Sequence, residues 1–311
     1  MKRIIPCVII TLSLIFAGSS LPLFGFIGLV LCPLPLCVMG CIESQKNTSI
    51  AELMIEVTLF LAISPSMAVY FLLGCAPVSA FIVITSNFGF KEVKKLTGGE
   101  SLLICTGASI LFKLILLWAF WFFTGRNILF PDTRQVAEFL VLNYGDKPEL
   151  MDSLIRIWVI LPHVLPAMLV IYAGIETCLN YSLCYRITRK YFPKCKNFPP
   201  ELPPFTLWKF PVSILMVSFG AFLMNWIFEA EMDTTVSMFI VNLQIAANVI
   251  MFVEGLSLAF WIMEGFKLRK GAKLLAGFLF LIPFFWPWLI VMGMSDMAMD
   301  MRERIRFGRK E

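Results

Sequence analysis

Apolar positions in this chain come in long unbroken blocks, and polar positions are confined to the short intervals between them. The blocks cover residues 4–17, 21–39, 50–90, 98–123, 148–183, 210–228, 236–264 and 274–294. A bilayer's hydrocarbon core takes about 20 helical residues, so each block of that size predicts one crossing. Barrel strands would alternate apolar and polar residues instead. Backbone groups in lipid must bond within their own segment, which makes these blocks helices. Block 50–90 is too long for one crossing and parts near 64–66, beside Pro65, or later, near Pro77. The pattern predicts an all-α polytopic integral membrane bundle of about nine transmembrane helices, about five in residues 1–124 and about four in 153–294.

The polar intervals orient the bundle. Residues 186–211 carry Arg186, Arg189, Lys190, Lys194, Lys196 and Lys209 against one acid, Glu201. Their middle, Phe198-Pro199-Pro200-Glu201-Leu202-Pro203-Pro204-Phe205, lacks the backbone donors a helix needs and predicts an extended strap. Positive charge beside spans marks the cytoplasmic side, so the basic, Pro-rich strap over 184–210 lies inside. Lys267, Arg269, Lys270 and Lys273 mark the same side, and parity then places the N-terminus inside. The first block resembles a signal peptide, but no polar mature domain follows, which predicts an uncleaved span.

Residues 125–152 are net acidic and predict an extracytoplasmic connection. Asp132 with Gln135, and Asp146 with Glu149, have the spacing of capping boxes. They predict an amphipathic helix over 133–144 and a second helix from near Pro148, kinked at Pro162 and Pro166. Thr48 or Ser49 is the expected cap of the block-50 helix, with Glu52 in its first turn. The charged tail, 295–311, has two placements. Parity puts it outside; its arginines favour the inside, which a re-entrant break at Pro283 and Pro287 would allow.

Composition narrows the function classes. The chain has 311 residues, of which 59% are hydrophobic and 15% charged, with a mean hydropathy of +0.83. Soluble domains carry about 25% charged residues, so a water-soluble globule is excluded. The net charge of +5 sits in the cytoplasmic intervals and records topology, which argues against nucleic-acid binding. Nine dispersed cysteines and one histidine suggest neither a disulfide framework nor a metal site. The cysteines are expected to act as small apolar residues in helix contacts. No phosphate loop, nucleophile elbow or other catalytic signature occurs, and no cofactor, metal or enzyme activity is expected.

Several ionisable or amide side chains lie inside the blocks. Lys113 is near the middle of its span, where an unpaired charge costs from about 3 to over 10 kcal/mol. It must face the bundle interior, with an acid at similar depth. Glu254 is the first candidate by depth, followed by Glu176 and Glu56. Gln244, Asn248 and Gly255 share a helical stripe, with Glu254 about a quarter-turn away. That stripe either lines a polar cavity or packs helices through hydrogen bonds and a glycine contact. His163, between two prolines, is expected to satisfy carbonyls that the prolines leave free. Asp296 and Asp300 have i,i+4 spacing; the expected partner of Asp300 is Arg304 on the same face rather than a divalent cation.

Three stretches also recur in a recognisable order. They are Pro203-Pro204-Phe205-x-x-Trp208-x-x-Pro211; Asn248 followed by Glu254-Gly255-Leu256; and Met292-Gly293-x-x-Asp296-x-x-x-Asp300-x-Arg302. In this order the chain resembles the YybS-like family, bacterial polytopic membrane proteins of unknown function. That resemblance implies a bacterial inner-membrane protein and supplies no catalytic residues. The family's N-terminal half is similar in layout to the S components of energy-coupling-factor vitamin transporters. The leading expectation is therefore a bundle that binds a small solute or ion through Lys113, Glu254, Asn248 and Gln244, with Glu176 and Glu56 as further candidates. The competing expectation is a non-catalytic scaffold that recruits membrane-protein subunits. The lipid bilayer is the expected partner in either case.

Overall fold

The computed structural model describes residues 3–20, 25–43, 45–88, 96–124, 148–195, 197–228, 235–280 and 282–305. Among these residues every regular element is a helix: α1 (Ile4–Ser20), α2 (Gly25–Leu31), α3 (Leu34–Ile42), α4 (Gln45–Ala62), α5 (Pro65–Tyr70), α6 (Ala76–Phe88), α7 (Gly98–Thr124), α8 (Pro148–Tyr191), α9 (Ser213–Phe228), α10 (Thr235–Gly265), α11 (Lys270–Phe280), α12 (Trp286–Met299) and α13 (Met301–Arg304). Four helical stretches are long and apolar enough to cross a membrane: Pro65–Ser86, Gly98–Phe123, His163–Tyr191 and Val236–Gly265. A fifth is the pair Lys270–Phe280 and Pro283–Met299, bent by 88° at the first of the two prolines expected to break it. The stretches Ile4–Ser20, Ile27–Ile42 and Ser213–Ile227 are apolar but shorter. Length and composition alone thus give four or five spans among the described residues, not nine. The amphipathic helix expected at 133–144 lies outside the described residues.

Proline chemistry explains the breaks. Ser64 caps α5, accepting from the Met67 N–H at 3.2 Å, and Pro65 fills the first helical position, which needs no donor. Block 50–90 therefore parts where expected, near 64–66. At Pro77 the chain does not part; a π-helical turn, Phe71–Cys75, absorbs the lost donor. Helix α4 begins at Gln45, earlier than the expected cap, so Glu52 sits in its second turn and accepts from Ser79 Oγ at 3.1 Å. Helix α7 opens with a capping box that the sequence reading overlooked: Thr97 N–H donates to Glu100 Oε2 at 2.8 Å, and Glu100 N–H to Thr97 Oγ1 at 3.2 Å.

The chain divides into two compact units, Met1–Ile128 with Tyr172–Leu202, and Leu129–Ile171 with Pro203–Glu311. In the first unit, Ile4, Ile15, Leu36, Ile55, Leu59 and Phe71 pack one core, and Val78, Ile82 and Tyr181 a second. Cys32, Cys37, Cys41, Cys75, Cys105 and Cys184 are buried in these cores as free thiols, the small apolar role expected of them. In the second unit α10 packs along α12 and α9, with Ala247, Met251 and Met297 at the centre.

Helix α8 runs through Pro162 and Pro166 without ending. The Asn242 carboxamide of α10 explains how. Its Oδ1 accepts the Ala167 N–H at 2.7 Å, and its Nδ2 donates to the His163 carbonyl at 2.5 Å. These are the two ends of one i→i−4 helical bond, spliced through a side chain. Asn242→Leu is expected to cost about 1–3 kcal/mol, the penalty of unpaired buried groups. Thermal unfolding in detergent checks it; no change would mean that α8 closes the bond unaided.

Candidate functional site

Two buried charge clusters, one in each unit, hold three of the candidate residues: Lys113 with Glu176, and Glu254. In the first, Lys113 on α7 is 4% exposed and Glu176 on α8 is fully buried. Lys113 Nζ donates to Glu176 Oε2 at 2.5 Å, to Ser109 Oγ at 2.8 Å and to the Gly74 carbonyl at 2.9 Å. Gly74 lies in the π-helical turn before Pro77, where the carbonyl ladder is loosened. An ammonium has three N–H donors, and all three are used. The Tyr172 ring lies 5.3 Å from Nζ.

Lys113 is thus hidden from lipid as expected, but its partner is Glu176, not Glu254. Depth reckoning failed because α8 continues to Tyr191, past the expected end near Leu183. That extension puts Glu176 midway along the stretch His163–Tyr191. Glu56 is half-buried and borders an open hollow of about 360 Å³ with Val57, Phe60, Ala68 and Leu72. A second hollow of about 480 Å³ is bordered by Phe260, Lys270, Lys273, Leu274 and Phe278. Neither is bordered by Lys113.

On α10, Gln244 Nε2 donates to Ser218 Oγ of α9 at 3.1 Å and to Asn248 Oδ1 at 3.3 Å. The polar stripe therefore ties helices together, the packing alternative. Gly255 belongs to a different contact. A Cβ on Gly255 would overlap the Leu289 carbonyl and lie 3.0 Å from Gly293 N; one on Gly293 would overlap the Met251 carbonyl and lie 2.9 Å from Gly255 N. The α10 and α12 backbones touch at these two glycines. Gly255→Ala is expected to destabilise by about 1–3 kcal/mol, because the obstacle is backbone. At an uncrowded helical site the same change would stabilise by about 1 kcal/mol, so the sign of the shift in unfolding temperature decides.

That contact places Glu254 beside the second cluster, whose hub is Arg302. Its Nε donates to Asp296 Oδ2 at 2.8 Å, its Nη1 to the Thr206 carbonyl at 2.8 Å, and its Nη2 to the Trp208 carbonyl at 2.8 Å, Ser257 Oγ at 3.1 Å and Glu254 Oε1 at 3.4 Å. Glu254 Oε2 accepts the Phe210 N–H at 2.7 Å, and Ser257 Oγ donates to the Phe205 carbonyl at 2.6 Å. Glu254 and Asp296 are fully buried. The three stretches that carried the resemblance thus meet around one guanidinium, whose planar fork matches several acceptors at once.

Asp300 adopts a left-handed backbone, φ 50°, and ends α12. This turn brings Arg302 back onto Asp296 and destroys the i,i+4 register expected to pair Asp300 with Arg304. Asp300 instead accepts from Lys209 of the strap and holds that ammonium above its ordinary pKa. The strap has one 3₁₀ turn, Phe205–Leu207. Residues 184–191, expected to belong to it, complete α8. Tyr181 Oη donates to the Pro200 carbonyl at 2.8 Å, and Trp208 Nε1 to the Pro203 carbonyl at 3.0 Å. A Pro-rich segment anchored in this way is not free to wrap a partner.

Sequence reasoning missed Asn242, Ser109, Ser257 and the Gly74 carbonyl. Only Asn242 had a signal, an amide in an apolar helix that had to answer a proline kink elsewhere.

A family model described as a predicted membrane protein, DUF2232, matches residues 8–297. This agrees with the resemblance drawn from the three stretches. No curated protein and no solved structure matches the chain.

Proposed function

The chain belongs to the DUF2232 family of predicted membrane proteins, and from that premise we propose that it serves as a non-catalytic scaffold, an assembly subunit of a membrane complex. The observation that carries this reading is closure. All three Lys113 donors end on groups of the same chain, and the Arg302 fork is occupied on Nε, Nη1 and Nη2. A solute arriving at either cation would have to displace a buried partner, and breaking such a pair costs about 3–5 kcal/mol. The anchored strap leaves Pro203, Pro204, Leu207 and Pro211 exposed. An edge ordered in advance spares a partner subunit the cost of immobilising it. Counting α4 and the three shorter apolar helices with the four long ones and the bent pair gives about nine spans, six of them before the strap. The basic strap and Lys267–Lys273 region then support an N-terminus on the cytoplasmic side of a bacterial inner membrane.

Solute or ion binding is the second reading, and one observation favours it. Glu176 Oε1, Thr177 Oγ1 and Asn180 Oδ1, all on α8, are buried without a hydrogen-bond partner. Purification in mild detergent followed by native mass spectrometry separates the two readings. The scaffold reading expects stoichiometric protein subunits that persist in the K113M/E176L double variant. A protein that comes away alone, carrying a small molecule lost in that variant, would overturn it.

A further inference from the structure

The charge around Arg302 does not balance. Two carboxyl groups, Glu254 on α10 and Asp296 on α12, are fully buried against one guanidinium. They meet on the same edge of it, at Nε and Nη2, while the remaining contacts of the fork go to the Thr206 and Trp208 carbonyls and Ser257 Oγ. Among the described residues a further cation on the strap, Lys209, is engaged by Asp300. The Phe210 N–H on Glu254 is neutral. With both acids ionised the cluster would hold a net negative charge out of water, with two like charges side by side, an arrangement that drives a proton onto one of them.

The hydrogen bonds show the same shortage. Asp296 Oδ1 is buried and has no donor among the described residues, and a buried acceptor left so costs about 1–3 kcal/mol. The Glu254 and Asp296 carboxyls are held side by side on the Nε–Nη2 edge of Arg302. One proton between the two would satisfy Oδ1 and bring the cluster to neutrality.

We propose that Glu254 and Asp296 share one proton, forming with Arg302 a neutral carboxyl–carboxylate–guanidinium site at the crossing of α10 and α12 that seats the Pro-rich strap. The ligand of this site is a proton. Its loss sets two buried carboxylates against each other across the Gly255–Gly293 contact and loosens the segment that Arg302 and Glu254 hold, residues 205–210.

Infrared spectroscopy of the purified full-length protein at neutral pH tests this through the carbonyl stretch of a protonated carboxylic acid. The wild type is expected to show such a band. E254Q and D296N should each abolish it, because either change leaves one carboxylate paired with Arg302. E176Q should leave it in place. Each single variant should keep its unfolding temperature close to wild type, whereas E254Q/D296N, which strands Arg302, should unfold at a clearly lower temperature. If one single variant fails to fold, the other carries the test. A band unchanged in both single variants overturns the proposal. So does a marked rise in unfolding temperature in both, the sign of an uncompensated charge in the native cluster. So does loss of the band on adding sodium at fixed pH, which would mean that a metal ion is the occupant.

Discussion

Replacing Glu176 with leucine is expected to destabilise the protein by about 3–5 kcal/mol, because it strands the Lys113 ammonium in the bundle interior without a counter-charge. Ser109 and the Gly74 carbonyl still accept from it, but neither carries charge. Lys113→Met should cost a similar amount from the other side, leaving a buried carboxylate. The K113M/E176L double variant should recover most of the loss, since two apolar side chains of similar volume need no solvation. Reversible unfolding in detergent or lipid, run as a double-mutant cycle, measures the coupling. Additive single effects would mean that the two residues do not act as a pair.

The membrane class and the breaks beside Pro65 and Pro283 were legible because they depend on short-range chemistry. A block of apolar residues has one solution in lipid, and a proline removes a donor wherever it stands. Burial of Lys113 was legible for the same reason: lipid cannot solvate an ammonium. Its partner was not, because comparing depths requires knowing where each helix ends, and α8 runs past the expected end to Tyr191. The Asp300–Arg304 pairing failed on one backbone angle, the positive φ that ends α12. The convergence of strap, Glu254 and Asp296 on Arg302 joins positions 206 and 302, a separation no local pattern spans.

Arg302→Met is expected to have an effect at least as large as that of E176L. It removes the guanidinium bonded to both Glu254 and Asp296, the only such cation among the described residues, and leaves the Thr206 and Trp208 carbonyls without this donor. Breaking the buried pair costs about 3–5 kcal/mol, and each orphaned buried acceptor adds up to about 1–3 kcal/mol, although the contributions are not additive. The variant should also release the strap locally. Limited trypsin digestion reads this directly, with faster cleavage after Lys209 than in the wild type. Lys209→Gln, which removes only an exposed ion pair, should move the unfolding temperature little. An R302M protein with wild-type stability and an uncut strap would mean that the strap is held by something other than this guanidinium.

The account depends most on Lys113 and Glu176 facing each other inside the bundle. Cysteines placed at 113 and 176, in a background with the native cysteines replaced, test this in the intact membrane. Cross-linking by a membrane-permeant bifunctional thiol reagent, long enough to replace the two side chains that meet tip to tip, is expected to join the pair efficiently, while a cysteine at 113 alone stays unreactive toward water-soluble maleimides. A failure to cross-link, with position 113 instead labelled by a lipid-soluble maleimide, would place that side chain against the acyl chains and contradict the account.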